Sequence, residues 1–165
     1  KSSPPKKPGS KSQMKLPPIY IVKPDCLSQG KGIFITKNLD DIQGSQERLV
    51  VQEYMREPFL IDNLKFDIRL YVLVTSCDPL KIFLYHEGLV RFATEEYHPL
   101  TCTSEKNLDN MFIHLTNYAV NKDNDGKFKA PKNALDDEGH KRSFQTLLNR
   151  LRNEGYDSDR LVDQI

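Results

Sequence analysis

Ile21-Val22-Lys23-Pro24-Asp25-Cys26-Leu27-Ser28-Gln29-Gly30-Lys31-Gly32-Ile33-Phe34-Ile35-Thr36 reads as strand, glycine loop, strand. Residues 19–22 and 33–36 are rich in β-branched and aromatic side chains, and two glycines flank a lysine between them. In a P-loop or a dinucleotide-binding turn the glycines open a helix whose N-terminus receives the phosphate. Here a strand follows, so neither motif applies. What remains is a glycine hairpin able to fold over a polyphosphate. Gly30 and Gly32 lack Cβ and let backbone N–H groups approach closely, while Lys23 and Lys31 add positive charge. Taken alone, the window is better read as an ordinary hairpin turn, where Gly, Ser and Lys are common.

The 165 residues suffice for one domain with a core, or for part of a larger one. With 38% hydrophobic residues and a mean hydropathy of −0.60, no apolar run approaches the ~20 residues of a membrane span. Cys26, Cys77 and Cys102 are odd in number, widely spaced and without a CxxC pair, the pattern of reduced thiols in a cytosolic protein rather than of bridges or zinc ligands. No signal peptide is expected: the first residues are basic and rich in Pro and Ser. The absence of an initiating methionine and the ending at Leu161-Val162-Asp163-Gln164-Ile165 are those expected of an internal fragment.

The net charge of +1 conceals an asymmetry. Residues 1–18 hold Lys1, Lys6, Lys7, Lys11, Lys15 and five of the ten prolines with no acid, which leaves the remainder net negative by four. This stretch is expected to be a disordered basic linker or insert. Residues 19–165 form the folded part.

Along that part, residues 38–42 predict a short helix broken at Gln43-Gly44-Ser45, and residues 49–55 a buried strand. Residues 65–76 alternate, placing Phe66, Ile68, Leu70, Val72 and Val74 on one face and Lys65, Asp67 and Arg69 on the other, successive members about 7 Å apart. Asp78-Pro79 turns the chain into residues 81–92, an antiparallel partner. Residues 94–108 and 121–133 are polar loops. Asp123-Asn124-Asp125-Gly126 lacks the twelfth-position glutamate of a calcium loop. In residues 140–153, Phe144, Leu147, Leu148 and Leu151 at i, i+3, i+4, i+7 predict an amphipathic helix ending before Gly155. The class is α+β.

Charges on one strand are commonly just a solvated face. The trio Lys65, Asp67 and Arg69 gains weight from Arg91 on the paired strand and from His114-Leu115-Thr116-Asn117-Tyr118. Such a face opposite a lysine-bearing hairpin suits a polyphosphate and a carboxylate held together. His114 alone reads as a hydrogen-bonded core residue.

Lys23-Pro24, Ser28-Gln29-Gly30-Lys31-Gly32-Ile33, Gln52-Glu53-Tyr54, Lys65-Phe66-Asp67-Ile68-Arg69, Arg91-Phe92-Ala93 and His114-Leu115-Thr116-Asn117-Tyr118, in that order, resemble the tubulin tyrosine ligase-like family, and within it the polyglutamylases. The resemblance implies an ATP-grasp fold, here partial. It implies a carboxylate–amine ligase that activates a glutamate carboxylate of the acidic tubulin tail with ATP as an acyl phosphate, for attack by the amine of free glutamate. By the same resemblance Lys23 contacts phosphate, and Ser28, Gln29, Gly30, Lys31, Gly32 and Ile33 cover it. The backbone of Gln52, Glu53, Tyr54 and Met55 meets the adenine edge. Lys65 and Asp67 meet phosphate or ribose, Arg69 and Arg91 the transferred phosphoryl group and substrate carboxylates, and Thr116 and Asn117 the nucleotide side. Such a reaction rests on alignment and charge neutralisation.

The family's Mg²⁺ ligands, an aspartate and a Glu-x-Asn pair, have no match after Tyr118, so the segment alone is expected to be inactive and its metal ligands to lie elsewhere. Tubulin or microtubules and free glutamate are the implied partners, and cytoskeleton, cilium or axoneme the implied locations, without membrane. A glycine ligase of the same family shares almost every motif. A non-catalytic tubulin-binding module is a further alternative, against which the nucleotide hairpin argues. Nucleic acid is disfavoured by the net negative folded part and by a basic run without interleaved aromatics.

Overall fold

In the computed structural model, residues 17–100 and 107–165 are described. The linker expected over 1–18 lies outside them except for Pro17 and Pro18, as does Cys102. Cys26 and Cys77 are free and exposed.

Strand β1 (Tyr20–Pro24) pairs antiparallel with β2 (Phe34–Thr36) on one side, Val22 opposite Phe34, and with β3 (Leu49–Glu53) on the other, Val22 opposite Val51. The strand–loop–strand reading of the glycine hairpin therefore holds. The short helix expected near residue 40 is a single 3-10 turn, Leu39–Asp41, whose N-cap Asn38 accepts from the Asp40 N–H at 3.0 Å. The strand expected to be buried at 49–55 is corrected. β3 is the edge strand of its sheet, and its consecutive Val50 and Val51, which point to opposite faces, are both exposed.

The second sheet runs β4 (Leu60–Ile61), β5 (Leu64–Cys77), β6 (Leu80–Phe92), β7 (Lys141–Ser143), all neighbours antiparallel. The expected two-faced alternation of β5 holds for its first half only. Phe66, Ile68 and Leu70 pack on the core, whereas Val72 and Val74 are 59% and 50% exposed. A register shift between Leu70 and Val72 disturbs the pairing there. Gly88 sits opposite Leu70, and a Cβ on it would come within 2.6 Å of the Arg69 carbonyl oxygen. Beyond this point the hairpin is apolar and exposed among the described residues, Leu73, Ile82 and Phe83 included.

The C-terminal helix starts at the first residue of its apolar spacing, Phe144, and not at the start of the expected range, residue 140. Residues 141–143 are strand β7, and α3 is Phe144–Asn153, because Ser143 Oγ accepts from the Thr146 N–H at 3.1 Å and ends the strand as an N-cap. A further helix, α4 (Ser158–Asp163), is capped by Asp157 and was not foreseen. Two single-turn helices, α1 (Met111–His114) and α2 (Tyr118–Asn121), lie between β6 and β7 in sequence.

Two cores result. Ile19, Ile35, Tyr54, Tyr97, Leu100, Leu108 and Ile113 join the first sheet to the α1 region. Val90, Phe92, Phe144, Leu147, Leu148 and Leu151 join the second sheet to α3. The polar loop expected at 121–133 is anchored at its start. Asn121 Oδ1 accepts from the Thr94 N–H and hydroxyl at 2.9 and 2.8 Å, while its Nδ2 donates to the Leu115 carbonyl at 2.7 Å. Asn124 Nδ2 is likewise committed to Thr94 Oγ1 at 2.8 Å.

Asp62 ties the second core together. With Asn63 it forms the two-residue turn between β4 and β5, at φ values of 54° and 60° that Asp and Asn tolerate. Its carboxylate receives Arg142 at 2.9 Å and Arg150 at 3.0 Å. Burial draws the carboxyl upward, but the two guanidiniums outweigh it and hold it below the usual range. Arg142 is buried and stacks 4.1 Å from the Phe92 ring centroid, so loss of its anion leaves a charge in the core. Asp62→Asn keeps the left-handed turn but removes the charge. Since Asp62 is itself half-exposed, we expect a loss of about 2 kcal/mol, seen as a lower urea midpoint at unchanged slope. An unmoved midpoint would show that the clamp adds nothing.

Candidate functional site

Lys23 stands near the end of the central strand β1, and its Nζ donates to Gln52 Oε1 of β3 at 3.0 Å. Ile21, Lys23, Gln52, Glu53, Tyr54, Met55 and Lys65 enclose a cavity of about 480 Å³. A second cavity, of about 340 Å³, lies under the glycine loop. It is lined by Lys23, Ser28, Gln29, Gly30, Lys31 and Ile33 together with Val50 and Asn117. Lys23 lines both, so the two spaces meet at its side chain.

The loop's shape follows from its glycines. Gly30 and Gly32 have φ of +87° and +69°, and Gln29 takes a φ of 64° that side chains seldom adopt. A Cβ on Gly30 would stand 2.9 Å from Val120 Cγ2 and 3.3 Å from Asn117 Cγ, so the loop closes directly onto α2. Asn117, the N-cap residue of α2, is thereby brought to the cavity. Thr116, one residue before, lines neither space. Gly32 packs against Pro24 and Leu27.

Lys65 reaches the cavity from the second sheet. Its Nζ donates to the Tyr54 hydroxyl at 3.0 Å and to the His114 carbonyl at 2.9 Å, and lies 4.5 Å from the Tyr54 ring centroid. Burial, then the charge of Lys23, pull its pKa down to about 8, against a smaller upward pull from Asp67. Two cations from different sheets therefore face the same space with their charge incompletely compensated. That is a donor set for a polyanion.

Asp67 and Arg91 follow on the same face as Lys65. They are direct cross-strand partners, joined bidentately with Arg91 Nε and one terminal nitrogen at 3.0 and 2.5 Å from the two carboxylate oxygens. These bonds raise the guanidinium's pKa further. Arg91, expected to face a substrate anion, thus has one edge occupied by Asp67. Arg69 is exposed one position further along that face, opposite Leu89.

Sequence reasoning assigned Tyr54 only a backbone role and His114 only a core role. His114 is indeed buried and hydrogen-bonded, and Tyr54 Oη lies 3.0 Å from its Nδ1. The sequence carries no periodic signal for this contact, because 60 residues separate the two.

Another cleft, of about 780 Å³, lies elsewhere, around Asp62, Arg142 and His140. Four carboxylates and four cations line it, several paired with one another, so it offers little net field to an anion. Among the described residues no group of three or more His, Cys, Asp or Glu is placed to hold a metal ion, and no helix is long and apolar enough to cross a membrane.

Comparison with known proteins gives the wider setting. Residues 6–165 match the tubulin-tyrosine ligase family. The chain is 51% identical over 157 residues, 94% of its length, to a "Probable beta-tubulin polyglutamylase" of Tetrahymena thermophila, of which it covers 12%. It is 48% identical over 138 residues, 84% of its length, to tubulin polyglutamylase TTLL7 of Mus musculus, covering 14% of it. It is also 48% identical over 146 residues, 88% of its length, to tubulin polyglutamylase TTLL13 of Homo sapiens, covering 17%. It spans less than a fifth of each of these relatives. With the family model matched over nearly the whole chain, and with identities of this size, the chain belongs to the tubulin-tyrosine ligase family.

Proposed function

We propose that the protein carrying this chain is an ATP-dependent ligase that joins glutamate to glutamate residues of tubulin tails, and that this segment is the nucleotide-binding part of a larger ATP-grasp domain. The observation that carries the reading is the meeting of Lys23 and Lys65, from separate sheets, on one cavity, with the glycine loop over an adjoining cavity that Lys23 also lines. Relatives described as tubulin polyglutamylases support the choice of substrate.

Within that reading the roles follow from position. The Tyr54 N–H is bonded to the Ile19 carbonyl at 2.7 Å, so by strand alternation the backbone groups of Glu53 face away from β1, along the open edge of β3, where a purine edge fits. Lys23 and Lys65 hold phosphate oxygens, and the loop from Ser28 to Ile33 shields them from water. Asn117 fixes the loop's inner side. ATP supplies the phosphoryl group that activates the acceptor carboxylate. Arg69 and the outer edge of Arg91 bind the carboxylates, with Asp67 holding Arg91 in plane. Among the described residues no cluster is placed to hold Mg²⁺, and the metal ligands of the reaction belong to other parts of the protein in this reading, in which the isolated segment does not turn over.

In the full-length protein, tubulin incubated with ATP and labelled glutamate gains label on its tails. Lys23→Ala and Lys65→Ala each lower the rate by at least about 100-fold in protein that still unfolds cooperatively. Label from glycine but not glutamate, or undiminished rates in both variants, would overturn the reading.

Nucleotide affinity also depends on pH. Lys65 is cationic below its pKa of about 8, so attraction to polyphosphate is full at neutral pH and fades as pH rises through that value. The groups facing it are Lys23 on β1, Asp67 on β5, Tyr54 and His114. Bound phosphate raises the pKa and moves the midpoint upward. Calorimetric titration with a non-hydrolysable ATP analogue should show weakening above about pH 8, abolished in Lys65→Arg, whose guanidinium stays charged. A flat profile to about pH 9.5 contradicts the assignment.

A further inference from the structure

Behind Lys65 the Tyr54 hydroxyl has two acceptors beside it, His114 Nδ1 and the Tyr97 oxygen, the latter itself donating to the Arg56 carbonyl. A carbonyl oxygen only accepts, so His114 Nε2, 2.6 Å from the Asn107 carbonyl, carries a proton. Burial pushes the His114 pKa down, with the charge of Lys65 adding to it against the Asn107 bond, and the neutral ring leaves Nδ1 bare. Nδ1 therefore accepts from the Tyr54 hydroxyl across 3.0 Å. With its proton turned to the histidine, Tyr54 presents a lone pair to Lys65, whose Nζ donates to it at 3.0 Å and to the His114 carbonyl at 2.9 Å. Were the hydroxyl reversed, its proton would oppose the ammonium.

We infer that His114 is a positioning residue. Its Nδ1 acceptor sets the Tyr54 hydroxyl, and two of the three Lys65 N–H groups are thereby held on the cavity wall with the third left for a phosphate oxygen. The inference rests on the nucleotide reading above, and assigns His114 and the Tyr54 side chain a place in it.

A merely structural histidine predicts something different. Its ring packs edge-on against Tyr54 and Tyr97, at centroid distances of 5.4 and 6.1 Å, so any replacement costs thermal stability. Two replacements separate the roles. Asparagine places its amide near Nδ1 and keeps an acceptor for Tyr54. Glutamine places its amide near Nε2, keeping the bond to Asn107 and losing that acceptor.

The full-length protein is titrated with a non-hydrolysable ATP analogue, and KM is measured separately for ATP and for glutamate, alongside thermal midpoints. His114→Gln and Tyr54→Phe should weaken analogue binding and raise KM for ATP about tenfold, the effect expected of a lost bond supporting a charged group. His114→Asn should stay within about twofold, and KM for glutamate should not move. In a Lys65→Met background the Gln and Asn variants should bind the analogue alike. Equal weakening by Gln and Asn, or a difference that persists without Lys65, overturns the inference while leaving the nucleotide reading intact. Failure of the unsubstituted protein to bind the analogue overturns the nucleotide reading, and this inference with it.

Discussion

A lysine ammonium taken partly out of water, and answered by neutral oxygens rather than by an adjacent carboxylate, is the constraint on which the architecture turns. Lys65 belongs to the second sheet, Tyr54 follows the edge strand of the first, and the His114 carbonyl ends α1. One side chain thus ties three elements that share few other polar contacts. Holding a cation this way is unfavourable in the empty protein, as its lowered pKa records. A group with that unmet demand for negative charge is expected where an anion completes the site. The surrounding apolar core around Tyr54 and Tyr97 supplies the stability that lets the strain persist.

The long hairpin of β5 and β6 is the frame that makes the arrangement possible. Near its base, Phe66 and Val90 face α3 through the second core, while Lys65, Asp67 and Arg91 occupy the other side. Period-two alternation separates the two functions: one face is fixed by hydrophobic packing, so the other can carry charge without drifting in register. The Asp62 clamp closes the base of this frame by joining the turn before β5 to β7 and α3. Toward the tip, where Val72 and Phe83 are exposed, packing no longer decides the faces.

Elements with strong local signals were legible in the sequence. The glycine loop between two β-rich runs, the Asp-Pro turn and the i, i+3, i+4, i+7 leucine face of α3 each rest on residues close together in the chain. Burial was less so. Leu49-Val50-Val51 looks like a core strand because its residues are apolar, yet β3 is an edge strand and exposure is set by tertiary packing, which leaves Val50 and Val51 exposed. Helix α4 was missed because Asp157 as an N-cap is indistinguishable by type from any other loop aspartate. At the site, the motifs named Lys23, Lys65 and the loop; Lys23 and Lys65 line one cavity, and the loop covers an adjoining one that Lys23 also lines. The Tyr54–His114 contact and the buried Asn121 were not legible, because contacts formed across long loops leave no spacing to read.

The two cationic positions on the β5–β6 face differ in a way that bears on chemistry. Among the described residues Lys65 has no direct carboxylate partner, its hydrogen bonds going to the Tyr54 hydroxyl and the His114 carbonyl, whereas Arg91 is matched edge to edge by Asp67 directly across the ladder. A lone ammonium attracts any polyanion strongly but with little preference for orientation. A guanidinium with one edge fixed by a carboxylate presents its remaining N–H groups in a set plane, and suits a planar carboxylate. Asp67 also removes most of the net charge at Arg91, so a polyphosphate gains less there than at Lys65. Charge and geometry therefore divide the same sheet face into a place that holds strongly charged oxygens and a place that orients a carboxylate, only two residues apart along β5. That short separation is what a reaction between a phosphoryl group and a carboxylate requires, since both must be brought within reach before either can be activated.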